Sequence, residues 1–578
     1  MIFLIGIGDR MKFKHAIIFL FAGSLFFSSV QLSLVLEGYR QLAILDSDHI
    51  PLASADPNGM IITEANISSV STSGNGSINN PYIITGLDID TTDGTGVLLE
   101  SISSYFVIEN SSIKATTHAV YLNTCDPDRV TLHNNSLVAN LGTGGVNTDG
   151  IKIYKNTINQ SDATSWSNCD NLNLTGNVYH YHGNQGGGIL VYSDDNIVFE
   201  NNIVHGNQTY LSIKRCASAL VRGNFLYNAG FDLDDTSPSD ALGYIFENNL
   251  VNGKPLGFYL NDQSITILGN TSGQLMLINC SQVQVMDYHL VDLPIGMQLV
   301  NCQDMVIDNA FFRSWIGIKA IDSTNLTISN SEFHCANVGI LFENVQDSHV
   351  VGNWIFEPVS ALYLEDGNGL NITGNVVMNA TGKAVLIDSV DDITLTENII
   401  SVNITEEGDQ TAITIDWGHD IKIYRNILIA LGNTSANLAV DDGDNTSWHD
   451  PVSQQGNFWS NYNGTGNYSV IDSGSEDPYP LEPDIDGDGL SEYDEVFEHG
   501  TNPFLEDTDG DSYTDDIEID EGTDPLDPGS NPGVRNYLWI WWVILAIAVG
   551  VAAFLFIAVK KEWIKTEKKR DTNLPSDK

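Results

Sequence analysis

Asp484-x-Asp486-x-Asp488-Gly489 is followed after five residues by Glu495, and Asp507-x-Asp509-x-Asp511-Ser512 by Glu518, the second phrase displaced by 23 residues. Oxygens at loop positions 1, 3 and 5, a backbone carbonyl at position 7 and a carboxylate at position 12 supply the hard ligands that calcium takes. Leu490 and Tyr513 stand at the seventh positions. Gly489 permits the sharp turn at the sixth, and Ser512 departs from that rule. No Lys or Arg occurs between Arg425 and Arg535, so this carboxylate density repels itself unless a cation neutralises it. Calcium is the expected cofactor.

Other carboxylates invite a test for sugar hydrolysis. Asn147-Thr148-Asp149-Gly150-Ile151 is followed by Asp194-Asp195, His205-Gly206 and Ile213-Lys214. The first phrase resembles the NTDGI signature of the polygalacturonase family, and the others follow in that family's order. The resemblance implies Asp149, Asp194 and Asp195 as catalytic carboxyls, which an inverting hydrolase holds about 6.5–9.5 Å apart. The spacing differs from the family pattern, with 45 residues from Asp149 to Asp194 and 10 from Asp195 to His205. Asp194 and Asp195 also occupy a turn like those of Asp322-Ser323 and Val390-Asp391-Asp392, where short polar side chains serve the turn itself. A uronate lyase would need a basic residue, and Lys152, Lys155, Lys214, Arg215, Arg222 and Lys319 are the candidates. Tyr154, Tyr192, Trp315, Trp354 and Trp417 offer rings for sugar stacking or for packing at strand ends. Copper would need soft or imidazole ligands, and Met276, Cys280, Met286, His289, Met297, Cys302 and Met305 form the densest run, in strand-like positions that suit core filling. His118, His133, His180, His182 and His205 are scattered over several repeats.

Positioning any of these residues falls to a repeat. GILVYSDDNIVFENNI (188–203), IGIKAIDSTNLTISNSEF (316–333), VGILFENVQDSHVVGNWIF (338–356) and KAVLIDSVDDITLTENII (383–400) share an alternating strand, a polar turn, a second strand and then Asn. The marker falls at Asn110, Asn134, Asn156, Asn177, Asn201, Asn224, Asn248, Asn270, Asn309, Asn330, Asn353, Asn375, Asn398 and Asn426, with Asp287-Tyr288 where one is missing. The mean period of about 22.6 residues lies in the range of solenoids. Three short strands plus turns fill such a unit, so each repeat predicts one coil of a parallel β-helix, about sixteen coils and roughly 75–80 Å in all. Leu326 and Ile328 should stack in apolar columns with Ile393 and Leu395. The marker Asn should occupy a left-handed corner and bond its counterparts above and below, as a structural ladder. Cys125, Cys169, Cys216, Cys280 and Cys302 recur in the inter-strand turn; stacked Cβ atoms about 4.8 Å apart exceed the ~3.8 Å of a relaxed disulfide, so a column of small turn residues is expected instead of bridges.

The opening GNGSINNPYIITGLDI (74–89), the repeats, and the closing GNFWSNYNGTGNY (456–468) and DPYPLEPD (477–484) resemble the NosD-like β-helix proteins over about residues 60–484. That resemblance implies an all-β, right-handed parallel β-helix of the carbohydrate-binding and sugar-hydrolase class, outside a prokaryotic, archaeal cell. The family takes its label from copper delivery, a role that no motif matched here carries. The acidic phrase, with GTNP (500–503) and GTDP (522–525) closing its units, resembles thrombospondin type 3 repeats; paired EF-hand loops and dockerins are related alternatives.

The 578 residues carry 75 Asp+Glu against 25 Lys+Arg, a formal charge of −50 that excludes nucleic acid as the main partner. Residues 1–37 read as a signal peptide or signal anchor, with Arg10, Lys12 and Lys14 ahead of the apolar run Ala16 to Leu36. Residues 537–559 read as a transmembrane helix, edged by Trp539, Trp541 and Trp542 and followed by a basic cytoplasmic tail, 560–578. Between them lie a linker (38–59), the rod (60–475) and the acidic repeats (476–530), with seventeen Asn-x-Ser/Thr sequons, Asn66, Asn173, Asn325, Asn371 and Asn463 among them. The expectation is a single-pass cell-membrane protein whose rod stands outside on a calcium-stiffened stalk and binds extracellular glycans or surface proteins. A membrane-anchored hydrolase or lyase is the alternative, and a structural envelope role or copper handling comes third.

Overall fold

The computed structural model describes residues 59–530 except 93, 184–186, 193, 234–237, 406–409, 433–436, 473, 482–483 and 492–493, together with Pro532, Lys560 and Lys561. The expected signal segment, nearly all of the linker, and the apolar run 537–559 lie outside the described residues. Among the described residues no helix is long and apolar enough to cross a membrane.

Strands of three to six residues alternate inward apolar with outward polar positions, as in Val120–Asn123 and Val130–His133, and each pairs in parallel with its counterpart one coil on. Thus Val120 aligns with Thr143, Thr131 with Lys152 and Ser136 with Thr157, on the first, second and third strands of successive coils. The result is a right-handed solenoid of about 16 turns. First and third strands join in one 30-stranded sheet, while the second strands form two sheets of eight. The gap between those two sheets falls after Tyr244–Glu247 and before Thr266–Leu268, where Leu250–Val251 pairs antiparallel with Lys254–Leu260.

Inward side chains form one continuous core through the rod. Ile328 aligns through Val350 and Ile372 with Leu395, the stacking expected from the repeat. All six cysteines are buried and free.

The asparagine ladder differs from expectation in one respect, because two adjacent columns share the work assigned to one. Asn110, Asn134, Asn201, Asn248, Asn309 and Asn330 do have left-handed backbones (φ 47–54°), but they are exposed corner residues. The buried ladder runs one residue later, through Asn135, Asn202 and Asn249, where it joins Asn156, Asn177, Asn224, Asn353, Asn375, Asn398 and Asn426 of the expected set, and it ends at Asn457. In each step the Oδ1 of one rung accepts the backbone N–H of the rung before, as Asn177 does from Asn156 at 3.0 Å, while its Nδ2 donates to a strand carbonyl, here of Ile153 at 2.8 Å. Asn270 is exposed and outside the ladder. The division has a physical reason: a corner must turn into the left-handed region and also satisfy buried backbone groups, and one side chain cannot face both solvent and core. At the C-terminal end Asp477 takes over, its Oδ2 accepting from Asn457 N–H at 2.7 Å and from the Trp459 indole at 2.9 Å.

Candidate functional site

The two acidic loops fold alike. Asp484 Oδ1 accepts from Gly487 N–H at 2.8 Å and Asp507 Oδ1 from Gly510 N–H at 2.9 Å. Asp486 and Asp509 then take the amides of Asp488 and Asp511, and Asp488 and Asp511 those of Leu490 and Tyr513. Gly489 lies at φ 104° and Ser512 is forced to φ 81°, the departure visible in the sequence, which costs a non-glycine residue about 1–2 kcal/mol. Each loop leads into a helical turn, Glu495–His499 and Asp515–Glu521, closed by left-handed Gly500 and Gly522. The Thr that follows each glycine turns its hydroxyl back on the loop's last ligand, Thr523 Oγ1 to Glu518 Oε1 at 3.0 Å and Thr501 Oγ1 to Glu495 Oε1 at 3.5 Å. That is the physical content of the GTNP and GTDP phrases.

Among the described residues, the ligand atoms that converge to within 4.8 Å of one another form three acidic groups: Asp484 with Asp486 and Asp488, Asp507 with Asp509 and Asp511, and Asp488 with Glu495 and Asp515. The third group escapes a loop-by-loop reading, since Asp515 belongs to the second repeat and Glu495 to the first. The only hint in the sequence is the Asp515-Asp516 pair at a helix start. One oxygen each of Asp486, Asp488, Asp509, Asp511 and Glu518 is buried without a hydrogen-bond partner. Burial, then neighbouring carboxylates, pushes the Asp486 and Asp488 carboxyls above their usual range. Orphaned, converging carboxylate oxygens fit a hard cation.

The module does not project freely from the rod. Val376, Ile399, Ile427 and Ile429 face outward from the third strands of the last coils, and Ile485, Val496 and Phe504 of the acidic repeats pack on them. Arg425 lies over the Phe504 ring at 5.4 Å.

The three catalytic candidates fall in one turn region but not in one cleft. Asp149, Asp170 and Asp195 stack on successive coils, each carboxylate accepting the backbone N–H of the next, Asp149 from Asp170 at 3.1 Å and Asp170 from Asp195 at 2.7 Å. Asp195 accepts in turn from Ala217 N–H. Asp194 points inward and is fully buried between Cys169 and Cys216, in the column of small turn residues. The run of sulfur ligands is core: Met276, Met297, Met305, Cys280 and Cys302 are all buried, Met286 is half-buried, and only His289 is exposed.

A different face gathers polar chemistry. Glu343, Glu365 and Asp388 align on successive first strands, and Asp416 and Asp442 continue the row just beyond Ile415 and Asp441. The neighbouring outward column carries Lys319, Leu341, Tyr363 and Leu386. Lys319 is buried, its Nζ 3.9 Å from both Asp232 and Glu343. Lys383 Nζ is 3.7 Å from Asp416. Burial, then the Glu365 and Asp388 carboxylates, raises the Tyr363 phenol. Trp417 stands 68% exposed beside the row. Of the other basic candidates, Arg222 pairs with Glu200 at 2.6 Å and Arg215 bonds Tyr192.

Residues 270–464 match the family model described as periplasmic copper-binding protein (NosD), residues 142–274 that of a right-handed beta helix region, and residues 484–505 and 507–528 each a bacterial TSP3 repeat. No curated protein matches. Similar solved structures include the DFA-IIIase of Arthrobacter chlorophenolicus A6 (10% identity, 69% of this chain and 93% of that one, TM-score 0.27). The surface adhesin PfbA of Streptococcus pneumoniae shows 9% identity over 64% and 81%, with a TM-score of 0.21. The A-module of a mannuronan C-5 epimerase of Azotobacter vinelandii shows 12% over 62% and 90%, with a TM-score of 0.22.

Proposed function

We propose that this chain, a right-handed β-helix with NosD-matching coils and two bacterial TSP3 repeats, is an extracytoplasmic rod that binds glycans and is stabilised by calcium at its C-terminal end. The observation that carries the glycan reading is the face of the first strands between Glu343 and Asp442. A carboxylate row beside Leu341, Tyr363 and Leu386, with Trp417 open at its side, pairs hydrogen-bond acceptors with apolar and aromatic surface, the combination that holds sugar rings. Its charge favours neutral or amino-bearing polymers, because a polyanion is repelled unless calcium bridges it. The calcium reading rests on the orphaned carboxylate oxygens of the two loops. Anchoring by residues 537–559, with the tail inside the cell, follows from their apolar run and the lysines after it.

A hydrolase or lyase is kept as the second reading because Lys319, Tyr363 and Glu365 are acid–base groups on that same face. Residues 40–535, incubated with neutral, amino-bearing and acidic polysaccharides with and without calcium, separate the readings. Retention on a neutral or amino-bearing polymer, weakened about tenfold by Y363A or W417A, is the expected result. New reducing or unsaturated ends would replace the binding reading with an enzymatic one. Neither retention nor cleavage would overturn both in favour of a protein partner.

A further inference from the structure

The solenoid brings together three histidines that the sequence leaves apart. His180 lies on Val178–Tyr181 and His182 directly follows that strand, so the alternation turns both to the same outer side. His205 is the register partner of His180 on the next coil. The His180 and His205 rings are parallel within 6° with centroids 5.1 Å apart, and those of His180 and His182 are parallel within 4° at 6.2 Å. Tyr227, one coil further, stacks on His205 at 5.0 Å. His180 and His205 are half-buried and His182 is exposed.

We propose that His180, His182 and His205 form a surface site for an imidazole-preferring divalent transition ion, of the class of Cu(II), Ni(II) and Zn(II). Two ligands from alternate positions of one strand and a third from the adjoining strand present three nitrogens to one side and leave a coordination position for water or an outside ligand. Metal–nitrogen bonds of about 2.0–2.1 Å require the rings to tilt toward one another out of the parallel stack, which the exposure of His182 allows. Burial, helped by the other two rings, lowers the His180 imidazole below its usual range, and burial lowers His205, so both are neutral near pH 7, the form that binds metal. The site lies outside the residues that match the copper-binding family model, and it shares no residue with the acidic loops.

The test is a titration of the full chain, in detergent and saturated with calcium, with Cu(II), Ni(II) and Zn(II) in turn. One equivalent should bind, with nitrogen hyperfine coupling in the Cu(II) spectrum, and H180A, H182A and H205A should each weaken it by about tenfold or more. H118A and H133A should leave it unchanged. H182A removes an exposed side chain at the strand end, and its thermal midpoint should match that of the parent chain, which separates loss of a ligand from loss of the fold. Unchanged affinity in H182A, Cu(II) coordinated by oxygen alone, or loss of binding on D488N instead, would each overturn the proposal.

Discussion

Asp194 shows how a residue that looks catalytic in sequence is explained by its neighbours in space. Its column runs Cys125, Thr148, Cys169, Asp194, Cys216 on successive coils, and each side chain can serve two backbone groups. Thr148 Oγ1 accepts from Cys125 N–H at 3.1 Å and donates to Val146 carbonyl at 3.1 Å; the Cys169 and Cys216 thiols donate to the carbonyls two residues back at 3.4 and 3.2 Å. Asp194 Oδ1 accepts from Cys169 N–H, while its Oδ2 is buried with no partner, a place that suits a donor. Burial, with Asp170, Asp149 and Asp195 nearby, pushes its carboxyl to about 7. The folded state therefore holds a proton that the unfolded chain releases above about pH 4. Stability from this group is complete below pH 4 and declines as pH rises toward 7, by up to about 4 kcal/mol. D194N, which keeps the acceptor and supplies the donor, should raise the urea midpoint at pH 8 and flatten its fall between pH 4 and 7. An unchanged pH profile would refute the assignment. The two asparagine columns make a second contrast at this scale. N375A strands the Asn353 N–H in the core and should cost about 2–3 kcal/mol, whereas N330A, at an exposed corner with φ 47°, should cost about 1 kcal/mol in the same urea titration. Equal losses would mean that the ladder is not confined to the buried column.

At the scale of elements, the acidic loops were legible because ligand spacing is local, whereas their docking surface was not. Val376–Ala380, Ile399–Ile404 and Ile427–Gly432 lack the clean alternation of other third strands, and a strand covered on both faces reads as a continuous apolar run. That run was the available signal, though it does not say what covers the outer face. Because Phe504, Val496 and Ile485 do so, the loops' ligands and the rod's last coils are mechanically linked. Chelating calcium should accelerate amide exchange across 376–431 and raise dye binding to apolar surface, while 97–200 stays protected. F504A should reproduce the exchange pattern with calcium present. Uniform protection in both experiments would show that the loops and the rod are independent.

At the scale of the whole molecule, the period of about 22.6 residues made the solenoid legible, because one coil is a local unit repeated. The ligand face was not legible, since Glu343, Glu365, Asp388 and Asp416 stand 22 to 28 residues apart and become neighbours only through the register of the coils. The same register fails once, at the antiparallel pair Leu250–Val251 and Lys254–Leu260, where the second-strand ladder is cut. In a stack whose coils contact only their neighbours, such a cut is where cooperativity is weakest. A rod tethered at one end and gripped at the other carries its load in series through that point. Pulled between its termini, it should yield in two events, with the first extension arrested near residues 244–266, so that an overstretched molecule sheds tension in one half while the other stays wound.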